Sequence, residues 1–331
     1  MDIFQLISDI EKVDPEVYAR LDTRRRAFRH LSGMGKKLTA AALPAFFGTV
    51  FTKAYGQGAS LPAEIVAVLN LALQLEYLEY HFYNTALNAG TLINAADRPA
   101  LTLIRNDESG HIKVLRTALG SQAFSQADPT AAAFDYTGMG SYADVFTNPA
   151  TFYGVAQAFV DTGIRAYKGG APLLMANKDI LQAALNIHSV EARHCSHVRT
   201  IRRGLTQSKF GQEATTVPGG TAPAELNLRP KSWISGTDNG GPGADKPVST
   251  RPVYGPGAAV VVGGVSLPSP AEDNIIHATI NVQTSTTAPG GLTVTTAAAS
   301  EAFDEPLDAA TVKAIARNFR SPLGVSLGLF S

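Results

Sequence analysis

The chain has 331 residues, 45% of them hydrophobic, and its 28 basic side chains balance its 28 acidic ones, so it carries no formal net charge. A balanced charge gives no electrostatic footprint for nucleic acid. No apolar run reaches the roughly 18 residues that a membrane-spanning helix needs, and the single cysteine, Cys195, excludes an internal disulfide. We therefore expect neither a nucleic-acid partner nor an integral membrane protein, and a length that suits one well-packed domain with extensions or two small domains.

The N-terminal residues 1–56 have the order of a secretory signal. A basic segment, "TRRRAFRH", precedes the mildly apolar "LTAAALPAFFGTVF" and a small-x-small site at Ala54 and Gly56. The run Arg25-Arg26-Ala27-Phe28 resembles the twin-arginine export motif. The alternative is an ordinary basic helix with a docked apolar arm. The first interpretation predicts a periplasmic or other extracytoplasmic protein, and the second a cytoplasmic one.

Residues 57–205 are predicted to form four long helices, because capping residues open them, with an early proline in the first three, and glycines or polar breaks close them. The predicted helices span residues 60–88, 97–120, 148–170 and 177–204. The connection from 121 to 147 is too long for a tight hairpin and is expected to cross over. One long crossover among four long helices is typical of ferritin-like bundles. The predicted fold class is therefore mainly α, a ferritin-like four-helix bundle.

The C-terminal third of the chain has a different composition. Residues 206–299 are rich in Gly, Pro and Thr and contain short β-prone runs, "AAVVVGGVSL", "NIIHATINVQTS" and "GLTVTT", which predict a small sheet or hairpin. Residues 300–331 return to helix in "EAFDEPLDAATVKAIARNF", where Val312, Ile315 and Phe319 form an apolar stripe. We expect a loop-rich, partly β extension followed by a final helix that docks on the bundle.

Acids and imidazoles interrupt the apolar stripes of three predicted helices. The second and fourth helices each carry a Glu-x-x-His motif, in "RNDESGHIKVL" and "NIHSVEARHCSHV". Residues three or four apart share one helix face, so both members of each motif lie in the stripe that should be buried. In the first helix one acid takes a core position and a second lies beside it. In helix order, these residues are Glu76 and Glu79, Glu108 and His111, and Glu191 and His194.

Buried carboxylates need a compensating positive charge, because leaving one unpaired costs several kcal/mol. The sequence offers two sources. One is a network of ion pairs with the histidines and with arginines such as Arg105, Arg165 or Arg193. The other is a metal site, for which carboxylate oxygen and neutral imidazole favour iron or manganese. Two Glu-x-x-His helices, with single carboxylates from the other two helices, are the ligand set of di-iron and di-manganese bundles.

A resemblance to a known family rests on "LNLALQLEYLEYHFYNTAL", "DESGHIKVL", "FVDTGIRAYKGGAPLL" and "SVEARHCSHVRTI". Together they look like the ferritin-like domain family of exported bacterial proteins and desiccation-related proteins. The resemblance covers about residues 60–205, and the "EAFDEPL" segment is also similar. It implies a site for two iron or manganese ions. The ligands that it implies are Glu76, with Glu79 second, Glu108, His111, Glu191 and His194.

The third helix departs from the family pattern. Val160 takes the position where the resemblance expects a bridging Glu, and the nearest acid, Asp161, is one residue further on. One residue turns an α-helix by about 100°, so Asp161 is expected to point aside from the site. Either a shifted helix brings Asp161 in as a ligand, or the centre has five protein ligands, or it binds one ion or none. Asp161 could instead pair with Arg165 on its own helix.

Two functional hypotheses follow from the resemblance. The favoured one is an exported protein whose di-iron or di-manganese centre oxidises metal or disposes of oxygen or peroxide, as a ferroxidase, peroxidase or catalase does. The alternative is a non-catalytic envelope protein for stress or desiccation, in which a degenerate metal site survives as a polar network. A third, an oxygenase for an organic substrate, requires an apolar cavity beside the metals. The expected partner is a second copy of the chain or another envelope protein, and no catalytic residue is assigned.

Overall fold

The computed structural model describes residues 60–210, 230–235, 240–283 and 294–331, with side chains on the fourth helix as far as residue 204. The predicted export segment, 1–56, lies outside the described residues. Four long helices dominate the described part: α1 (Ala63–Asn88), α2 (Arg98–Leu119), α3 (Pro149–Gly170) and α4 (Lys178–Phe210). The predicted helical bundle is therefore confirmed. Among the described residues no helix is both long and apolar enough to cross a membrane.

The ends of the helices follow their sequence signals. Asn148 caps α3 by accepting a hydrogen bond from the backbone of Ala150 at 3.0 Å, and the side chain of Asn177 accepts one from Ile180 at the start of α4. Gly120 follows α2 with a positive φ of 53°, a conformation that favours glycine. The predicted end of the fourth helix at 204 is wrong, because α4 continues to Phe210.

The four helices pack as two pairs, α1 with α2 and α3 with α4, and α1–α3 and α2–α4 contacts join the pairs. The long connection between the pairs lies along α1, where Tyr136 donates a hydrogen bond to the carbonyl of Leu78 at 2.8 Å. Aromatic rings form the core at that point. Phe82 stacks on Phe152 with ring centroids 4.8 Å apart and meets Phe159 edge-on at 5.0 Å. The crossover connection expected from the sequence is thus part of the bundle core.

The described C-terminal region contains short helices and two small antiparallel hairpins. One hairpin pairs β1 with β2 and the other pairs β3 with β4, as the first two β-prone runs predicted. In "GLTVTT" the first three residues lie outside the described part, and the other three form no strand, since Thr296 begins a helix. In chain order the elements are α5 (Arg251–Tyr254), β1 (Val260–Val262), β2 (Val265–Leu267), β3 (Ile276–His277), β4 (Ile280–Asn281), α6 (Thr296–Glu301), α7 (Ala309–Ala316) and α8 (Pro322–Ser326).

The helix predicted for residues 301–319 is shorter in the structure, where α7 docks on the bundle. A continuous helix over 301–319 is wrong, because Pro306 cannot continue a helix and Asp308 caps a new one, α7. This helix contacts α1, α3 and α5. Val312 and Phe319 of the predicted stripe are buried, which places the apolar face of the C-terminal segment against the bundle.

Arg165 attaches the C-terminal region to α3. Its side chain is fully buried and donates hydrogen bonds to the backbone carbonyls of Glu305, Pro306, Pro270 and Gly255 at 2.8–3.0 Å. It also forms an ion pair of 2.8 Å with Glu272. Arg165 therefore does not compensate the acids of the helical seam, although the sequence offered it as one of three arginines for an ion-pair network with them.

Candidate metal centre

Four side chains from three helices converge in the middle of the bundle. Glu76 of α1, Glu108 and His111 of α2, and Glu191 of α4 are all buried, and one ligand atom from each lies within 4.8 Å of all the others. The buried face of α2 runs through both Glu108 and His111, as the three-residue spacing predicted. The helical repeat thus directs these polar groups into the core.

The Nδ1 atom of His111 lies close to three carboxylate groups at once. It is 3.1 Å from Glu76, 3.2 Å from Glu108 and 3.1 Å from Glu191. A ring nitrogen carries at most one proton, so it cannot donate a good hydrogen bond to three acceptors. This arrangement fits a space surrounded by electron-pair donors, which is the environment that a bound cation requires.

Glu108 and Glu191 each divide their two carboxylate oxygens between two imidazoles. Besides the contacts with His111, the second oxygen of Glu108 lies 3.1 Å from Nδ1 of His194, and that of Glu191 lies 3.5 Å from the same atom. The cluster therefore has two sides, one at His111 and one at His194. Both carboxylates reach from one side to the other.

The second ring nitrogen of His194 has its own partner. Nε2 lies 3.1 Å from Oδ2 of Asp107, which is about one-third exposed. A proton held on Nε2 by this carboxylate leaves the lone pair of Nδ1 directed at the cluster, which is the usual arrangement of a metal-binding histidine. Sequence reasoning missed Asp107, although it directly precedes Glu108.

Two tyrosines border the cluster. The hydroxyl of Tyr167, on α3, donates a hydrogen bond to Glu76. The hydroxyl of Tyr83 is buried without a hydrogen-bond partner among the described residues, and the acids Glu79 and Glu108 act on it electrostatically. The sequence alone indicates core packing for both tyrosines. Tyr167 instead holds one of the candidate ligands in place.

Several polar atoms of the cluster have no hydrogen-bond partner among the described residues. Close approach alone does not make a hydrogen bond, because the angle between donor and acceptor must also be favourable. Buried polar groups without partners cost free energy, so a native protein rarely leaves several together. The atoms concerned are Oε2 of Glu79, Oε1 of Glu108, both oxygens of Glu191 and Nδ1 of His194.

Burial and mutual repulsion shift the titration of these groups in the metal-free protein. Burial raises the pKa of Glu76 to about 8, although the imidazole of His111 opposes the shift. Burial, with the neighbouring carboxylates, raises the pKa of Glu79 well above its usual range. Burial alone would lower the pKa of His111 and His194, but the adjoining carboxylates raise both. Burial alone would also raise the pKa of Glu191, but the imidazoles of His194 and His111 lower this pKa below its usual range.

The formal charges of the cluster do not cancel. Four carboxylates, with Glu79 included, face two imidazoles, so full ionisation with both rings protonated leaves a net charge of −4 + 2 = −2. Without a metal the raised pKa values restore neutrality by retaining protons. A divalent cation provides the same compensation and also partners the oxygens that have none. The residues present therefore fit a metal ion.

Asp161 contributes to a different network. Its carboxylate forms an ion pair of 2.5 Å with Arg199 of α4, accepts a hydrogen bond of 2.6 Å from Tyr254, and contacts the thiol of Cys195 at 3.0 Å. The structure thus pairs Asp161 with neither the cluster nor Arg165. Its partner is instead the buried Arg199, which the sequence pattern did not indicate.

Val160 packs away from the cluster as well. It belongs to an apolar group with Ile164 and Cys195, next to the C-terminal region. The residue of α3 that faces the acids is Gly163, where an added Cβ atom would point at Glu79. The expectation that Val160 takes the position of the bridging Glu is therefore wrong, because the α3 face turned to the cluster runs through Gly163 and Tyr167.

Comparison with known proteins agrees with this architecture. Residues 64–203 match the family model described as the ferritin-like domain. No curated protein and no solved structure matched the chain. The matched range begins in α1 and ends within α4, so it includes every residue of the carboxylate–histidine cluster. Residues 64–203 of this chain form a ferritin-like domain.

Proposed function

We propose that the cluster binds two ions of iron or manganese and that the protein uses them to oxidise ferrous iron or to remove oxygen or peroxide. The observation that carries the proposal is the position of Glu108 and Glu191, each with one oxygen near His111 and the other near His194. A carboxylate so placed can bridge two ions. Oxygen and imidazole donors together suit iron or manganese better than softer metals.

The chain's own groups have distinct parts in this proposal. Glu76 and His111 would hold one ion and His194 the other, and Glu108 and Glu191, which lie close to both rings, would contribute to holding both. Bound iron or manganese would supply redox chemistry toward oxygen or peroxide. Tyr167 fixes the orientation of Glu76, and Asp107 fixes the tautomer of His194. Glu76, Glu108, His111 and Glu191 are all buried, which limits the access of bulk water.

Metal reconstitution tests the proposal. Metal-free protein is incubated with Fe²⁺ or Mn²⁺, freed of excess ion and analysed by elemental mass spectrometry, with oxygen consumption and peroxide decay as activity readouts. We expect two ions per chain in the unaltered protein and at most one in Glu108→Gln. Glu64→Gln, an exposed acid on α1, is the matched control and should behave as the unaltered protein.

An unaltered protein that retains no ion would overturn the metal proposal. If Glu108→Ala then also lost stability, the non-catalytic hypothesis would hold, in which the acids and imidazoles form a polar network in an envelope protein. Two bound ions with neither oxygen consumption nor peroxide decay would leave a metal-binding protein and remove the proposed activity.

A second candidate function is the oxidation of a small apolar organic substrate, and a cavity favours it. A pocket of about 200 Å³ lies between α1, α3 and α7, with Leu71, Leu75 and Val312 in its mainly apolar wall. Tyr167 lines the same pocket, and its hydroxyl donates a hydrogen bond to Glu76. A bulky Ala72→Phe variant should fill the pocket and abolish turnover of short apolar compounds while peroxide decay continues. Equal loss of both activities would argue against this substrate class.

We further propose that the protein acts outside the cytoplasm, after twin-arginine export. The supporting pattern is the basic segment followed by an apolar run and the small residues Ala54 and Gly56. Mass spectrometry of the mature N-terminus, for the natural sequence and for Arg25→Lys/Arg26→Lys, tests it. A mature chain that still begins at Met1 in the cytoplasm would contradict export.

A further inference from the structure

The third helix provides no acid to the cluster. Asp161 is the one acidic residue in α3, and its carboxylate is engaged by Arg199 and Tyr254. The side of the cluster at His194 therefore lacks a counterpart to Glu76, which lies 3.1 Å from His111 on the other side. A two-ion site with this asymmetry would be short of one protein oxygen.

Gly163 lies opposite Glu79 at the place where the third helix would be expected to contribute. A Cβ atom added to Gly163 would lie 3.2 Å from Oε1 of Glu79, a distance tighter than ordinary van der Waals contact. Glycine inside a helix is less favourable than alanine, because it loses more backbone freedom on folding. A Cβ atom at this position would press on the carboxylate of Glu79, which would have to move by a few tenths of an ångström.

Glu79 is buried, with 4% of its surface exposed, and its Oε2 atom has no hydrogen-bond partner among the described residues. The charged groups that act on it are Glu191, Glu108, Glu76 and the imidazole of His194. For Glu76 the corresponding imidazole is His111. Glu79 lies three residues after Glu76 on the same face of α1, about one helical turn along, so the two acids reach the cluster at different levels of the helix.

We infer that Glu79 supplies, from the first helix, the carboxylate ligand of the ion beside His194, and that Gly163 is the opening in α3 that admits it. The inference rests on the proposed metal function. The protein would then complete a two-ion site with two acids from α1 and none from α3. In this arrangement Glu79 of α1 supplies the carboxylate ligand that α3 does not.

An exchange of positions between the two helices tests the inference. The set is the unaltered protein, Glu79→Gln, Glu79→Ala/Gly163→Asp and its uncharged counterpart Glu79→Ala/Gly163→Asn. An Asp at 163 carries its carboxyl group one bond beyond Cβ, in the space that the shortened residue 79 leaves. Metal content after loading with Mn²⁺ alone, affinity by chelator competition and the absorption spectrum with Co²⁺ are measured, with circular dichroism to confirm folding.

We expect two ions in the unaltered protein, loss of one ion or an at least tenfold weaker second site in Glu79→Gln, and recovery in Glu79→Ala/Gly163→Asp but not in the Asn counterpart. Because Gln has nearly the same shape as Glu and is uncharged, the metal-free variant should fold normally. Unchanged stoichiometry, affinity and Co²⁺ spectrum in Glu79→Gln would overturn the role of Glu79 and leave the metal proposal standing. An unaltered protein that binds no metal would overturn both.

Discussion

The imidazole rings of His111 and His194 lie with their centroids 6.3 Å apart and their planes tilted by 31°. They come from α2 and α4, which are not partners in the same helix pair. Two carboxylates connect them, because Glu108 and Glu191 each contact both rings. The two rings therefore mark the two ends of the cluster. The distance between them depends on how the α1–α2 pair packs against the α3–α4 pair.

Asp107 should act on metal affinity through His194. In Asp107→Asn the acceptor for Nε2–H becomes a weaker, neutral one, and losses of this kind typically reduce metal affinity about 10–100-fold. The effect should appear for the ion beside His194 and leave the one beside His111 unchanged. Chelator competition with Mn²⁺ resolves the two affinities.

Asp179→Asn, at an exposed acid near the start of α4, is the control for Asp107→Asn and should change neither affinity. If Asp107→Asn weakened both ions equally, Asp107 would be acting through net charge rather than through the tautomer of His194.

Metal binding should release protons. In the metal-free protein the neighbouring carboxylates raise the pKa of His111 and His194, and burial raises the pKa of Glu76 to about 8, so these groups retain protons at neutral pH. A metal ion needs the deprotonated forms. Affinity should therefore fall as the pH is lowered from 8 toward 6, and titration calorimetry in buffers of different ionisation enthalpy should report net proton release. Affinity independent of pH would show that the ion binds elsewhere.

Removal of the metal should lower thermal stability. A ligand that binds only the folded chain stabilises it by RT ln(1 + [L]/Kd), which is about 2.7 kcal/mol at a free concentration 100 times Kd. The metal-free state also keeps four acids close together in the core. We expect a lower Tm after chelation and its recovery on addition of Mn²⁺. A Tm that chelator and Mn²⁺ leave unchanged would favour a self-sufficient polar network.

The sequence allowed a large part of this structure to be predicted. The helical repeat alone places Glu108 and His111 on the buried face of α2, because neighbours on one helix face are fixed by spacing within one segment. It could not predict Asp107, Gly163 or the partners of Asp161, since these depend on which side chains of separate helices meet. The prediction that Val160 faces the cluster is wrong for the same reason. The direction of the Val160 side chain depends on how α3 is rotated about its axis, and the contacts of α3 with the C-terminal region fix that rotation.

Arg165 should be required for stability and not for metal binding. Replacing it by Met leaves Glu272 buried without its cation, and breaking a buried ion pair on one side costs about 3–5 kcal/mol. The backbone carbonyls that it satisfies would lose their donor as well. Urea unfolding should show the loss. The exposed Arg193 is the control, and Arg193→Met should change the free energy of unfolding by less than about 0.5 kcal/mol.

The side chain of Asp308 should stabilise α7 independently of any metal. Asp308 caps this helix by accepting hydrogen bonds from the backbone of Ala310 and Thr311, and its second oxygen accepts one from Ala258 at 2.7 Å. Burial would raise the pKa of Asp308, but these hydrogen bonds, together with that from the Thr311 hydroxyl, lower it below the usual 3.8. A depressed pKa contributes stability that is present above the unfolded value and is lost as the pH falls through the folded one.

We therefore expect Asp308→Ala to lower the free energy of unfolding by about 1–2 kcal/mol at pH 7. The difference in this free energy between the variant and the unaltered protein should shrink as the pH falls below 3.8. Urea unfolding at a series of pH values measures both effects. Asp273→Ala, at an exposed acid of the same region, serves as the control. Protonation of the carboxylate weakens its charge-assisted hydrogen bonds but leaves its packing unchanged. A difference that stayed constant from pH 7 down to pH 2 would therefore show that Asp308 acts through packing.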